Sequence, residues 1–230
     1  MAEEIRILYE DGDTLVVDKP AGLLSEASEA SPSVVNALLA HGKDGFLAPI
    51  TRLDREVSGV MLLAKHKKSA AFYTTLLADR ECFKKEYLAV VSGKLAEKEG
   101  EMHDLLFKDS AKNKSYVVAR MRRGVKDASL AYEVLSEKGS DEETLSLLHI
   151  ALHTGRTHQI RVQLSSRQHP IVGDRKYGGS PLHPMGLLSY RLTFRSVRGK
   201  PLSLTSERVK QPPFALFAAG TDEKDEISYK

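Results

Sequence analysis

The chain has 230 residues, 41% hydrophobic and 28% charged, which suits one large globular domain or two intimately packed lobes. A net charge of +3 permits a nucleic-acid partner without demanding one. The single cysteine, Cys82, excludes an internal disulfide, and with an acidic start lacking an apolar signal core and no apolar run near the ~20 residues of a membrane span, the expectation is a soluble cytoplasmic protein.

Ile5 to Tyr9 and Thr14 to Asp18 flank Asp11-Gly12 and read as strand, turn, strand. Ser31-Pro32 reads as a helix cap followed by a first-turn proline, and Val34 to Ala40 continues helically. Val60 to Ala64, bounded by Gly59 and Lys65, reads as a buried strand. Lys67 to Asp79 is expected as a second helix, with Ala71, Leu76 and Leu77 toward the core. Further strands are expected at Lys85 to Val91, ending at Gly93, and at Ser115 to Arg120, Leu130 to Leu135 and Thr144 to Leu152. Gly139-Ser140-Asp141 turns between the last two, and Tyr190 to Phe194 with Pro201 to Leu204 makes a closing hairpin. Strands dominate and helices interrupt, so the expected class is α+β with a mixed, largely antiparallel sheet and flanking helices. Residues 1–217 are expected to form one domain, and 218–230, polar and charged, a loose tail.

Two segments carry candidate chemistry. In Thr51-Arg52-Leu53-Asp54-Arg55-Glu56-Val57-Ser58-Gly59, Asp54 sits on the loop entering a core strand, where a rigid scaffold holds reactive groups well. The flanking Arg52 and Arg55 would keep it ionised. An ordinary surface ion pair accounts for the same residues equally well. In the second segment, His153 to Leu164, Gly155 permits a positive-φ turn and Thr157 can cap a helix whose first turns carry His158, Gln159 and Arg161. Ile160, Val162 and Leu164 would anchor it, leaving Arg156 and Arg161 to face an anion, although a basic amphipathic surface helix has the same pattern. Three basic clusters, His66-Lys67-Lys68, Arg120-Met121-Arg122-Arg123 and Arg195 to Lys200, read first as solvated surface.

Together these segments resemble the RluA family of pseudouridine synthases. The motifs are Lys19-Pro20-Ala21-Gly22, Arg52-Leu53-Asp54 with Ser58-Gly59, Lys85-Glu86-Tyr87 with Gly93, the unbroken block Gly155 to Arg161, His169-Pro170, Gly173-Asp174 and Tyr177-Gly178. They occur in family order from Lys19 to about Phe194. Three positions depart from the family pattern. Thr51 replaces a histidine, the loop after Gly22 reads Leu23 to Ser28, and the late motif reads Leu187 to Leu192. The resemblance implies the pseudouridine synthase fold with a central RNA-binding cleft, acting without cofactor or metal on a uridine flipped out of ribosomal or transfer RNA. It assigns Asp54 as the reacting carboxylate, either nucleophile or base, Arg161 as its ion-pair partner and Tyr87 as the ring stacked on the flipped base. Arg52 would prop the space the nucleotide leaves, and Arg156, His158 and Gln159 join it as RNA-binding candidates. Only eighteen residues precede Lys19, so the chain is expected to be the catalytic domain without an S4-like module, acting as a monomer on structured RNA.

Two other functions stay open. A non-catalytic RNA-binding or ribosome-assembly protein could use the same fold, although Asp54, Tyr87 and Arg161 are all present. A metal-dependent hydrolase could use His153, His158 and His169, although no cysteine or glutamate completes a zinc spacing.

Overall fold

The structure, a computed structural model, describes residues 4–42, 45–140 and 144–218. The expected tail lies outside the described residues apart from its first position, as does Asp141 of the expected turn. The chain runs β1 (Arg6–Glu10), β2 (Thr14–Lys19), α1 (Val34–Ala40), β3 (Ala48–Pro49), β4 (Ser58–Ala64), α2 (Lys67–Leu76), β5 (Phe83–Ser92) and β6 (Glu99–Asp109). It continues through β7 (Lys114–Val118), β8 (Val125–Lys138), β9 (Leu145–Leu152), α3 (Gln159–Ser165), β10 (Leu187–Arg195), β11 (Pro201–Thr205), a 3-10 turn (Glu207–Lys210) and α4 (Ala215–Ala218).

All eleven strands join one sheet, in the order β1-β2-β4-β10-β5-β9-β8-β6-β7, with β3 paired to β4 and β11 to β10. Every pairing is antiparallel except the short β4–β10 contact, Ser58 to Leu188 and Gly59 to Ser189. The central strands are covered on both faces, which is why they read as continuous apolar runs. Leu15, Val17, Met61, Leu63, Ala89, Val91, Leu148 and Ile150 share one core cluster with Val34 and Leu38 of α1 and Ile160 and Leu164 of α3. The alternate residues Val16, Val60 and Leu62 pack with Tyr73 of α2, Phe83 and Phe194, while Leu88 and Val90 pack with Leu188 and Phe214.

The helix starts differ from expectation. Ser33, not Ser31, caps α1, because its hydroxyl accepts the Asn36 amide proton, so Pro32 precedes the helix. In α2 the buried side chains are Ser69 and Tyr73, whereas Ala71 is exposed; Tyr73 reaches under the sheet to Thr14, hydroxyl to hydroxyl at 2.6 Å. Strand β6 was not anticipated. Its burial alternates only weakly, because it lies toward the edge of the sheet.

The β4–β10 contact sets the site. One row across the sheet runs Gly59, Ser189, Tyr87, Ile150, Tyr132. It places the loop leading into β4 beside the tyrosine of β5. Gly59 adopts φ +115°, and a β-carbon there would lie 2.2 Å from the Ser189 carbonyl oxygen, so only glycine lets β4 approach β10. Ser189 Oγ donates to the Val60 carbonyl at 2.9 Å across the same seam.

Candidate active site

A cleft of about 850 Å³ opens along this seam, and Asp54, Tyr87, Lys85, Arg52, Arg55, His158 and Arg161 all line it. The Asp54 loop is pinned from below. Ser25 Oγ accepts from the Leu53 amide (2.9 Å) and donates to the Leu53 carbonyl (2.8 Å), and Val57 N–H returns to the Asp54 carbonyl (3.1 Å). Lys19, wholly buried, donates its ammonium to the carbonyls of Pro20 and Arg55. Burial pushes the Lys19 pKa down to about 8, against the pull of Asp54 and Glu56. Its place under the Asp54 loop was not assigned from sequence, though it stands in the Lys19-Pro20 motif.

The counter-ion of Asp54 is Arg161, whose Nη1 donates to Asp54 Oδ2 at 2.7 Å. Neither neighbouring arginine serves. Arg52, exposed at the rim, reaches Glu26 at 3.3 Å, and Arg55 donates to the Gly22 carbonyl. Nor is Arg161 free to face an anion. Its remaining donors make a two-point contact with Asp174, Nε to Oδ2 at 2.7 Å and Nη2 to Oδ1 at 2.8 Å. Asp174 is completely buried, and its Oδ1 also accepts the backbone amides of Lys176 and Tyr177. Burial works against the Arg161 charge, but the Asp174 hydrogen bonds and the charges of both carboxylates outweigh it and hold its pKa above the ordinary value. Arg161 is thus an oriented fork between a buried carboxylate and an accessible one, with a quarter of the Asp54 side chain open to the cleft. Asp174 was legible only as part of a motif; its partner on α3 comes from the fold.

The turn before α3 is tighter than expected. His158, not Gly155, takes the positive φ (53°), and it rather than Thr157 occupies the N-cap position, with no side-chain cap. Left-handed backbone at a buried non-glycine residue costs energy and clusters at functional sites. His158 packs edge-on to Tyr177, its Nδ1 3.0 Å from the phenol oxygen and its Nε2 3.8 Å from Asp54 Oδ2. Its Nε2 faces the Asp54 carboxylate at the cleft floor. Burial lowers its pKa despite the Asp54 charge, which favours the neutral ring. The Tyr177 hydroxyl accepts the Ser115 amide proton (2.8 Å) and donates to the Ser115 carbonyl (3.2 Å), and it holds the His158 ring in place through Nδ1.

Gln159 does not present its amide to the cleft. Its Oε1 accepts from Thr154 Oγ1 (2.7 Å) and Arg156 N (3.0 Å), and its Nε2 donates to the Ser129 carbonyl (3.1 Å). It closes the turn that carries Arg156. Arg156 lines the cleft while its Nε donates to the Asp127 carbonyl at 2.8 Å. Tyr87 is buried against the seam, beside its cross-strand partner Ser189; burial, with a contribution from Asp54, pushes its pKa up to about 12, so the phenol keeps its proton at neutral pH. Lys85, two residues away on the same face, also points into the cleft, and burial beside Arg80 and Arg156 lowers its pKa. Glu86, on the opposite face, is taken up by Arg191 at 2.7 and 2.9 Å and by His149 at 3.1 Å. Among the described residues no three His, Cys, Asp or Glu side chains gather to hold a metal, and His169 bonds instead to the Ser92 carbonyl.

A family model for RNA pseudouridylate synthase matches residues 13–166, which takes in Asp54, Tyr87 and Arg161. The chain belongs to the RluA-type RNA pseudouridine synthases. It is 33% identical over 182 residues to an uncharacterized RNA pseudouridine synthase of Bacillus subtilis, covering 76% of this chain and 58% of that one. It is 34% identical to ribosomal large subunit pseudouridine synthase D of Yersinia pestis, covering 78% of this chain and 54% of that protein. The chain therefore spans somewhat more than half the length of these curated relatives. Among solved structures, human RNA Pseudouridylate Synthase Domain Containing 1 shares the fold, with a TM-score of 0.75 at 22% identity over 93% of this chain and 87% of that one. No helix among the described residues is long and apolar enough to cross a membrane.

Proposed function

We propose that the protein isomerises uridine to pseudouridine in structured RNA, ribosomal or transfer, with residues 1–217 as the catalytic domain. The observation that carries this reading is the Asp174–Arg161–Asp54 chain, which ends in one carboxylate open to a cleft beside a buried tyrosine. A uridine inside a helix cannot reach that floor and must be flipped into it. Arg161 then fixes Asp54 with one oxygen occupied, leaving Oδ1 to act on the ribose or the base as nucleophile or proton acceptor. Tyr87, protonated and rigid, supplies a face for the base and a hydroxyl for proton transfer at carbon. Arg52 stands at the exposed rim, suited to fill the gap in the stack, and Arg156 and Lys85 supply positive charge along the wall. His158 packs as a neutral ring beside Asp54, and Gln159 positions the turn. We read the protein as a cytoplasmic monomer that needs no cofactor.

The test is Asp54→Asn. It keeps the shape of the side chain and one acceptor for Arg161, while removing the charge and basicity. The variant is expected to fold and bind RNA and to form no pseudouridine, scored by chemical mapping of total RNA from a complemented deletion strain. Turnover above a no-enzyme blank would sink the assignment.

A further inference from the structure

The cluster Arg120-Met121-Arg122-Arg123 is not absorbed by the catalytic site. It follows β7, the outermost strand on the far side of the sheet from β1. Residues 108–127 contain seven Lys or Arg (Lys108, Lys112, Lys114, Arg120, Arg122, Arg123, Lys126) against two Asp, a net +5. The whole chain carries only +3, so the remainder is net negative. Residues 191–210 also carry a net +5, but there Arg191, Arg198 and Arg208 are each paired with a carboxylate. None of the seven cations makes an ion pair with a carboxylate among the described residues, and all but Lys114 are exposed.

Two aromatic rings lie among them. Phe107 and Tyr116 are direct cross-strand partners on the face turned away from buried Ser115. The Arg122 guanidinium already covers Phe107, at 5.1 Å from its centroid. Tyr116 is 36% exposed, with exposed Val117 and Met121 near it in the chain. The arm is continuous with the active site. Lys108 and Asn113 line the cleft, Lys176 Nζ donates to the Asn113 carbonyl, and the Lys114 ammonium lies 5.0 Å from the ring of Tyr177 and 5.8 Å from that of Tyr116. Charge on an edge strand also deters edge-to-edge pairing. That role needs one or two lysines, and does not require an exposed tyrosine among seven unpaired cations.

We propose that the β6–β7 hairpin and the loop 119–124 form a second RNA-binding surface, which takes an unpaired stretch of RNA next to the flipped uridine. Lys108, Lys112, Arg120 and Arg123 meet its phosphates and Tyr116 stacks on a base. A base over an exposed ring among cations is the pattern of single-strand binders, because every base offers a π-face and each phosphate contact releases counterions. The proposal deepens the RNA-modifying reading above and rests on it.

The experiment compares the full chain with Lys112→Ser/Arg120→Ser/Arg123→Ser and with Tyr116→Ala, all exposed sites that leave the Arg122–Phe107 pair in place. Binding is read by fluorescence anisotropy between about 50 and 200 mM salt. The probes are an unstructured U-rich RNA of about 20 nucleotides and an RNA duplex of matching length. Three lost phosphate contacts should flatten the log–log salt slope on the unpaired probe by roughly 2. Tyr116→Ala should weaken that probe by about five- to a hundredfold and leave the duplex unaffected. A wild-type slope in the triple variant overturns the arm, and equal losses on both probes replace unpaired RNA by a duplex as the occupant. If the triple variant fails a thermal-unfolding check, the single Arg120→Glu takes its place: weakened binding of the unpaired probe supports the arm, and wild-type binding overturns it. A wild-type protein that binds the probe but modifies no uridine would overturn the catalytic reading and leave the arm standing; an arm variant with unchanged binding, in a protein that does modify RNA, would overturn the arm alone.

Discussion

Replacing Asp174 separates the positioning of Asp54 from its chemistry. Asp174 is completely buried and does not itself line the cleft, yet it holds two of the Arg161 donors. In Asp174→Asn the amide NH2 faces a guanidinium donor, so at least one of those bonds is lost and a buried cation keeps only the partly exposed Asp54. Breaking a buried pair from one side costs about 3–5 kcal/mol. The lower end applies here, because Asp54 still compensates part of the charge. A domain of this size loses about 2–4 °C of Tm per kcal/mol, so the expected drop is roughly 6–12 °C. Freed from its second carboxylate, Arg161 turns further onto Asp54, so turnover should fall well below wild type at temperatures where the variant remains folded. Circular dichroism melts give the first quantity and single-turnover pseudouridine formation at saturating RNA gives the second. A Tm within about 2 °C of wild type together with undiminished turnover would refute the positioning chain.

Five further outcomes follow from the same geometry. Arg161→Met should reduce single-turnover rate far more than RNA affinity; lost affinity with an unchanged rate would make Arg161 a phosphate contact. Tyr87→Phe should bind and stall while Tyr87→Leu also loses about 1–3 kcal/mol of stacking, and equal activity in Phe and wild type would leave stacking as the only role. With its pKa raised to about 12 from 10.0, Tyr87 contributes stability that is intact below pH 10 and lost as pH climbs through 12, so it should give no limb to a pH–rate profile near neutrality. Lys19 titrates the other way: its pKa falls from 10.5 to about 8, so its contribution is present above 10.5 and lost as pH falls through 8, and Tm should rise between pH 7.5 and 9.5 by an amount that Lys19→Met abolishes, on the order of 3 kcal/mol at most. Gly59→Ala should yield a protein with a strongly lowered Tm or no soluble protein, since its methyl would meet the Ser189 carbonyl; a wild-type melt would contradict the seam described here.

Asp54, Tyr87 and Arg161 were legible because each lies in a short motif and the motifs keep their order along the chain. The strands of the sheet were legible for a similar local reason, since β2, β4 and β5 are apolar runs between turn residues. What escaped was set by distant partners. Flanking arginines seemed the natural counter-ions of Asp54, but Arg161 arrives from far along the chain and the neighbours turn to Glu26 and the Gly22 carbonyl. Gln159 looked like a contact for RNA, and only the folded turn reveals three internal partners for its amide. The left-handed backbone of His158 has no signature in composition, because glycine at 155 was the obvious bearer of a positive φ. Ser31 and Ser33 are equally good caps on paper; the Asn36 amide decides between them.

The position of β10 has a consequence for how the protein comes into being. β1 through β4 form one patch of sheet and β5 through β9 another, and β10 alone joins them, pairing β4 on one side and β5 on the other. While the chain is being made, both patches exist before Leu187 has left the ribosome, and the aspartate and the tyrosine belong to separate halves. The second patch ends at Leu152, so at ~5–20 residues per second that interval lasts on the order of 2–7 s, with two strand edges open and awaiting the same late segment. Asp54 and Tyr87 therefore share no cleft in the nascent chain until β10 emerges, and it is in that window, rather than after release, that the edges of β4 and β5 are exposed to mispairing and to chaperones.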